Sequence, residues 1–135
     1  MLTPVTDLPR FHHVALSVRD RDLSANWYAA VLGFEELFRE DGEERRACVM
    51  RSPSGGCSVA VVEHLPAQTV AFDPRRPGLD HVAFTVASRI DLETWAARLT
   101  AAGVQHSEVI DIPPGGILNF KDPDGIALAF FWERN

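Results

Sequence analysis

The sequence predicts an α+β fold in which one strand–helix–strand–strand–strand unit is written twice. The first observation is a repeated strand. His13-Val14-Ala15-Leu16-Ser17-Val18 returns 68 residues later as His81-Val82-Ala83-Phe84-Thr85-Val86. Each copy alternates apolar and small or polar positions with period 2, the signature of a half-buried strand. The second observation is Trp27 and Trp95, also 68 apart, each on the apolar stripe of a helix. The third is a pair of turns 70 residues apart, Ser52-Pro53-Ser54-Gly55 and Asp122-Pro123-Asp124-Gly125.

Taken in order, residues 1–10 form a leading arm with two prolines and little pattern. A strand is expected over about Phe11 to Val18. Asp20 or Asp22 can cap the helix that follows. Leu23, Trp27 and Val31, with Ala30 beside them, form its predicted apolar stripe, and Gly33 stands at its C-cap. Strands are expected over about Phe34–Arg39, Arg45–Arg51 and Cys57–Glu63, separated by Glu40-Asp41-Gly42-Glu43 and Ser52-Pro53-Ser54-Gly55-Gly56. These elements make a first module over 11–63. Residues 64–78 hold Pro66, Pro74 and Pro77 without periodicity and read as a connector. The second module, 79–135, repeats the order. A strand over Leu79–Val86 leads to a capping box at Ser88-Arg89-Ile90-Asp91. The helix carries Leu92, Trp95, Ala96 and Leu99 and closes at Gly103. Strands follow over about Gln105–Ile110, Gly116–Lys121 and Ile126–Trp132. Neither half has enough interior alone, so the two should share one core as a single domain.

A chain of 135 residues with 46% hydrophobic and 24% charged residues has ordinary globular composition. Its net charge of −6 argues against nucleic acid and anionic membranes as partners. No apolar run reaches membrane-span length, and the N-terminus lacks the layout of a signal peptide. Cys48 and Cys57, the only cysteines, fit neither a CxxC site nor a disulfide framework. Two free buried thiols and a cytoplasmic location are expected. Glycine-rich phosphate loops and serine-nucleophile motifs are absent. Asp122-Pro123-Asp124-Gly125 reads as a hairpin turn rather than an ion loop.

Four stretches, Phe11–Val18, Trp27-Tyr28 through Leu32-Gly33-Phe34, Leu79–Phe84 and Phe120–Gly125, resemble the vicinal oxygen chelate superfamily. That superfamily includes glyoxalase I, extradiol dioxygenases and bleomycin-resistance proteins. The resemblance covers about Phe11 to Trp132. It implies paired βαβββ modules whose sheets curl round a cleft, with helices outside, and a homodimer. Many members bind a divalent metal through a histidine on the first strand of each module, here His13 and His81, completed by carboxylates on the last strands. The late carboxylate lies four residues after the glycine of the turn, which is Ala129 here. The matching first-module position is Val59 or Ala60. None of these three can bind a metal.

A catalytic ion needs three or more protein ligands with one position open. His13 and His81 alone would hold zinc, nickel, iron or manganese weakly. Glu63, His64, His106 and Glu108 are poorly placed to help. The histidines' face otherwise carries Ala15, Ser17, Ala83 and Thr85, and the last strand adds Ala127, Ala129 and Phe131. The six small side chains there leave volume and Phe131 can stack on a flat ligand, so these seven are the predicted pocket lining. The leading expectation is a protein that binds a small organic molecule and lacks a complete family metal site. It would sequester the ligand, as drug-resistance members do, or use His13 or His81 for metal-independent proton transfer, since imidazole titrates near neutrality. The rival readings are a metal-dependent glyoxalase-type lyase, dioxygenase or thiol transferase, and a non-catalytic dimeric scaffold.

Overall fold

The computed structural model describes Met1–Asn135. The first module contains β1 (Val14–Ser17), α1 (Arg21–Leu32), β2 (Glu35–Asp41), β3 (Arg45–Arg51) and β4 (Ser58–His64). The second contains β5 (Val82–Thr85), α2 (Arg89–Ala101), β6 (Ile110–Ile112), β7 (Gly115–Lys121) and β8 (Ala127–Glu133). Each module forms a four-stranded mixed sheet, in the orders β1-β4-β3-β2 and β5-β8-β7-β6. The first strand pairs with the last in parallel, and the remaining pairs are antiparallel. The duplicated α+β architecture read from the sequence is therefore present. No helix is long and apolar enough to cross a membrane.

Asp20 caps α1 by accepting the Leu23 N–H at 3.0 Å, and Gly33 ends the helix at φ +80°. A cap of this kind contributes about 1 kcal/mol. The buried face of α1 differs from the expected stripe. Leu23 is 53% exposed, whereas Ser24, Ala25, Tyr28, Val31 and Leu32 are buried. The helix is rotated so that Tyr28 enters the core with its hydroxyl partnered. In α2, the Asp91 carboxylate accepts the Ser88 N–H at 3.1 Å, and Leu92 and Leu99 are fully buried.

The strand expected over Gln105–Ile110 is the other departure. Only an isolated bridge at His106 and the short β6 form there. Ser107 is the cause. Its hydroxyl accepts the Asn119 N–H at 2.9 Å and donates to the Glu108 carbonyl at 2.7 Å. A side chain thus takes a place in the ladder that backbone would otherwise fill.

One apolar cluster draws on both modules: Leu16, Tyr28, Phe34, Met50 and Val61 from the first, and Leu92, Leu99, Leu118, Phe120 and Phe130 from the second. The modules meet through these faces, where Trp27 lies 6.4 Å from Phe120 and Phe34 lies 5.8 Å from Phe84. No backbone-to-backbone hydrogen bond joins the modules. Side chains do so instead. Tyr28 Oη donates to Asp122 Oδ2 at 2.8 Å, and Arg19 Nε donates to Asp124 Oδ1 at 2.8 Å. Arg98 of α2 donates to the Val31 carbonyl at 2.8 Å, supplying the cation that the last turn of α1 lacks.

Candidate functional site

Alternation along β1 and β5 turns Leu16, Val18, Val82 and Phe84 toward the core. His13, Ala15, Ser17, His81, Ala83 and Thr85 are all exposed on the opposite faces. His81 lines a cleft of about 690 Å³ with Asp80, Gln105, His106, Ser107, Asn119, Lys121 and Ala127. His13 does not line it. His13 instead meets His12, Nδ1 to Nδ1, at 2.8 Å, so one ring donates and the other accepts. Within one chain, the two predicted site histidines are not brought into a common pocket.

The predicted pocket lining divides in the same way. Ala127 borders the His81 cleft. Ala83 and Thr85 border an apolar cleft of about 450 Å³ over Phe34, Phe84 and Phe130. Ser17 borders a third cleft, of about 330 Å³, with Arg19 and Asp124. Ala15 is exposed, Phe131 is half-buried and Ala129 is 1% exposed.

Strand register shows what surrounds His81. Val82 pairs with Leu128 and Ala83 with Ala129, so His81 stands opposite Ala127. Ala127 pairs with Lys121 on its other side, and Ala129 pairs with Asn119. Two rows cross β5, β8 and β7 on one face: His81–Ala127–Lys121, then Ala83–Ala129–Asn119. Neither Lys121 nor Asn119 was singled out from the sequence. Lys121 is the chain's only lysine, and it alternates in register with Asn119 two residues before it. That was the available signal, but it gains meaning only once β7 is paired with β8.

His81 Nδ1 lies 2.7 Å from Asp80 Oδ1. With the proton on Nδ1, Asp80 accepts it and Nε2 carries the free lone pair. Two other possible ligands, His106 and Glu63, are already bonded. His106 Nε2 lies 2.7 Å from Thr100 Oγ1, and its Nδ1 lies 2.7 Å from the Ser107 carbonyl. Glu63 accepts the Arg21 N–H at 2.8 Å and Arg46 Nη2 at 2.9 Å. The helix-terminal N–H, then Arg46, hold its carboxyl below the ordinary range.

These residues do not fit a divalent ion. No group of three or more His, Cys, Asp or Glu side chains is close enough to hold one. The second-module carboxylate position is Ala129. Because Ala15 pairs with Ala60 as Ala83 pairs with Ala129, the first-module position is Ala60.

The fold and the sequence both have relatives. A domain from Frankia sp. EAN1pec, described as glyoxylase/bleomycin resistance protein/dioxygenase, is 39% identical, with a TM-score of 0.88 over 95% of this chain and 100% of that one. The uncharacterized protein YaeR of Escherichia coli (strain K12) is 29% identical over 136 residues, covering 92% of this chain and 96% of YaeR. TnmS3, an antibiotic binding protein from Streptomyces sp. CB03234, is 21% identical, with a TM-score of 0.66 over 95% of this chain and all of that one, a likeness of fold. The family profile described as Glyoxalase/Bleomycin resistance protein/Dioxygenase superfamily matches residues 10–130. With two βαβββ modules and a profile match over nearly its whole length, this chain belongs to that superfamily.

Proposed function

We propose that this protein binds a small organic molecule in the cleft beside His81, with no resident divalent ion. The observation that carries the reading is the cleft itself. Its volume of about 690 Å³ falls in the usual range for small-molecule sites. Its floor has the short side chain of Ala127, and His81, Asn119 and Lys121 supply polar groups around it. TnmS3 binds an antibiotic on the same fold, so the architecture is compatible with sequestration. The Asp80–His81 pair supports a second role at the same place. A carboxylate that holds Nδ1–H leaves Nε2 to accept a proton from a bound molecule.

The family resemblance makes a homodimer part of the proposal. Phe11, Leu37 and Phe38 are 84%, 46% and 58% exposed on the first module, and a second copy would cover apolar surface of this kind. Free Cys48 and Cys57 suit a reducing cytoplasm.

Calorimetry against a panel of small aromatic and aliphatic molecules tests the reading. Binding that weakens at least tenfold in His81→Ala is expected. A panel with no binder of any class would favour the scaffold reading instead. Metal analysis of protein purified without chelator should find only traces of zinc, nickel, iron and manganese. A stoichiometric, tightly held ion would overturn the proposal. Sedimentation should give twice the 14.9 kDa chain mass.

A further inference from the structure

We propose that the His81 cleft selects a small organic carboxylate with an apolar body, and that Lys121 is the residue that reads its charge. This rests on the reading that the cleft binds a ligand, and it names the ligand's class. Most arginines of this chain are paired with carboxylates, including Arg19, Arg21, Arg46 and Arg89. The ammonium of the single lysine makes no ion pair or hydrogen bond within the chain.

The acids nearest Lys121 in sequence are occupied elsewhere. Asp122 accepts Tyr28 Oη and the Asp124 and Ile126 N–H groups. Asp124 accepts Arg19 and Ser24. Asp80, the acid that lines the cleft, is bonded to His81 and 75% exposed. Lys121 is left as a point charge at one end of the row whose other end is His81.

The two ends lie two strand spacings apart, about 10 Å between backbones. Between them, Ala127 carries no charge and little bulk. A carboxylate over Ala127 can be met by the Lys121 ammonium from one side and by the Asn119 amide, whose side chain has no partner in the chain. Apolar groups of Val104, Ile117 and Leu128 border the same cleft and suit the rest of the molecule.

One ammonium matches one negative charge. A phosphate monoester is served by several N–H donors, by an arginine fork or by a helix N-terminus. No arginine and no helix N-terminus lines the cleft, where Lys121 supplies the one ammonium. The class selected is therefore carboxylate rather than phosphate.

Three probes of similar shape test this: benzoate, benzamide and phenyl phosphate. Each is titrated into full-length protein carrying nitrogen-15-labelled lysine and alanine. Lysine labelling reports from one residue only, because the chain has one. Benzoate should shift the Lys121 and Ala127 signals and bind about tenfold more tightly than benzamide or phenyl phosphate. Lys121→Met should abolish that preference by weakening benzoate to the level of benzamide, and Lys121→Arg should restore the preference over benzamide. Raised salt should weaken benzoate and leave benzamide binding as it was. Equal binding of benzoate and benzamide, tighter binding of phenyl phosphate, or full preference in Lys121→Met would each overturn the charge assignment and leave the ligand-binding reading standing. Silence of the Ala127 and Ala129 amides with all three probes would overturn both.

Discussion

Tyr28→Phe removes one oxygen from the join between the modules. The loss should be large for so small a change. Tyr28 is fully buried and Asp122 is 6% exposed, with the hydroxyl 2.8 Å from Oδ2. Oδ1 of the same carboxylate keeps the Asp124 and Ile126 N–H groups at 2.9 Å each, but Oδ2 would lose its buried donor. A hydrogen bond to a charged group is worth about 1.5–3 kcal/mol, so a cost of about 2 kcal/mol is expected at neutral pH. In a domain of this size that lowers the melting midpoint by roughly 6 °C.

The cost should depend on pH, and the sign can be worked out. Burial holds the Asp122 carboxyl above its ordinary value, and the Tyr28 and backbone donors pull it partly back. Without the phenol it rises further. A raised folded-state value means that the folded chain binds more protons than the unfolded one. Stability from this group is thus fully present below the unfolded aspartate value, about 3.9, and declines as pH rises through the raised value. The variant should therefore lose less at pH 4 than at pH 7. Urea denaturation of both proteins from pH 4 to 8, with unchanged slopes, measures it. A loss below about 0.5 kcal/mol at pH 7, or one equal across the range, would refute the assignment.

Four further outcomes are expected. A Cβ at Gly115 would stand 1.8 Å from the Trp132 carbonyl oxygen, so Gly115→Ala should cost about 3 kcal/mol in thermal or urea melts. Gly116→Ala meets only the end of the Leu92 side chain, at 2.9 Å, and should cost about 1 kcal/mol by the same measure. Ala129→Glu restores a carboxylate in the row beside His81. Zinc affinity measured by calorimetry should rise, and adding His81→Ala should cancel the rise; no gain would separate the two positions. Iodoacetamide followed by mass spectrometry should label Cys57 well before Cys48. Burial pushes the Cys48 thiol up to about 11, and that residue has no exposed surface.

The duplicated architecture was legible because period-2 and helical patterns recur at a fixed offset, and no tertiary information is needed to see that. The start of β1 was not. The expected strand opened at Phe11, yet Phe11 is out of phase with Val14, Leu16 and Val18, 84% exposed and outside the strand, whose pairing with β4 begins at Val14. Apolar spacing chose Leu23 for the inner face of α1, whereas a buried partner for a phenol chose Tyr28. For the site, sequence reasoning followed each strand lengthwise and found His81 and Ala127. Lys121 and Asn119 reach the same place from two strands away, and only the pairing register reveals such lateral neighbours. His13 shows the converse. Its symmetry with His81 in the sequence does not place it in the same cleft, because the modules meet through the opposite faces of their sheets.

The join between the two sheets has a mechanical consequence. β1 and β5 each have a ladder partner on one side only, and no backbone-to-backbone bond crosses between the modules. The polar ties lie elsewhere, where the turn after β7 meets α1 and where Arg98 holds the last turn of that helix. Slight shear of one half against the other would therefore strain side-chain rotamers but break no ladder. The two sheets act as plates riveted at the helices, each free to tilt a little while keeping its own ladder whole.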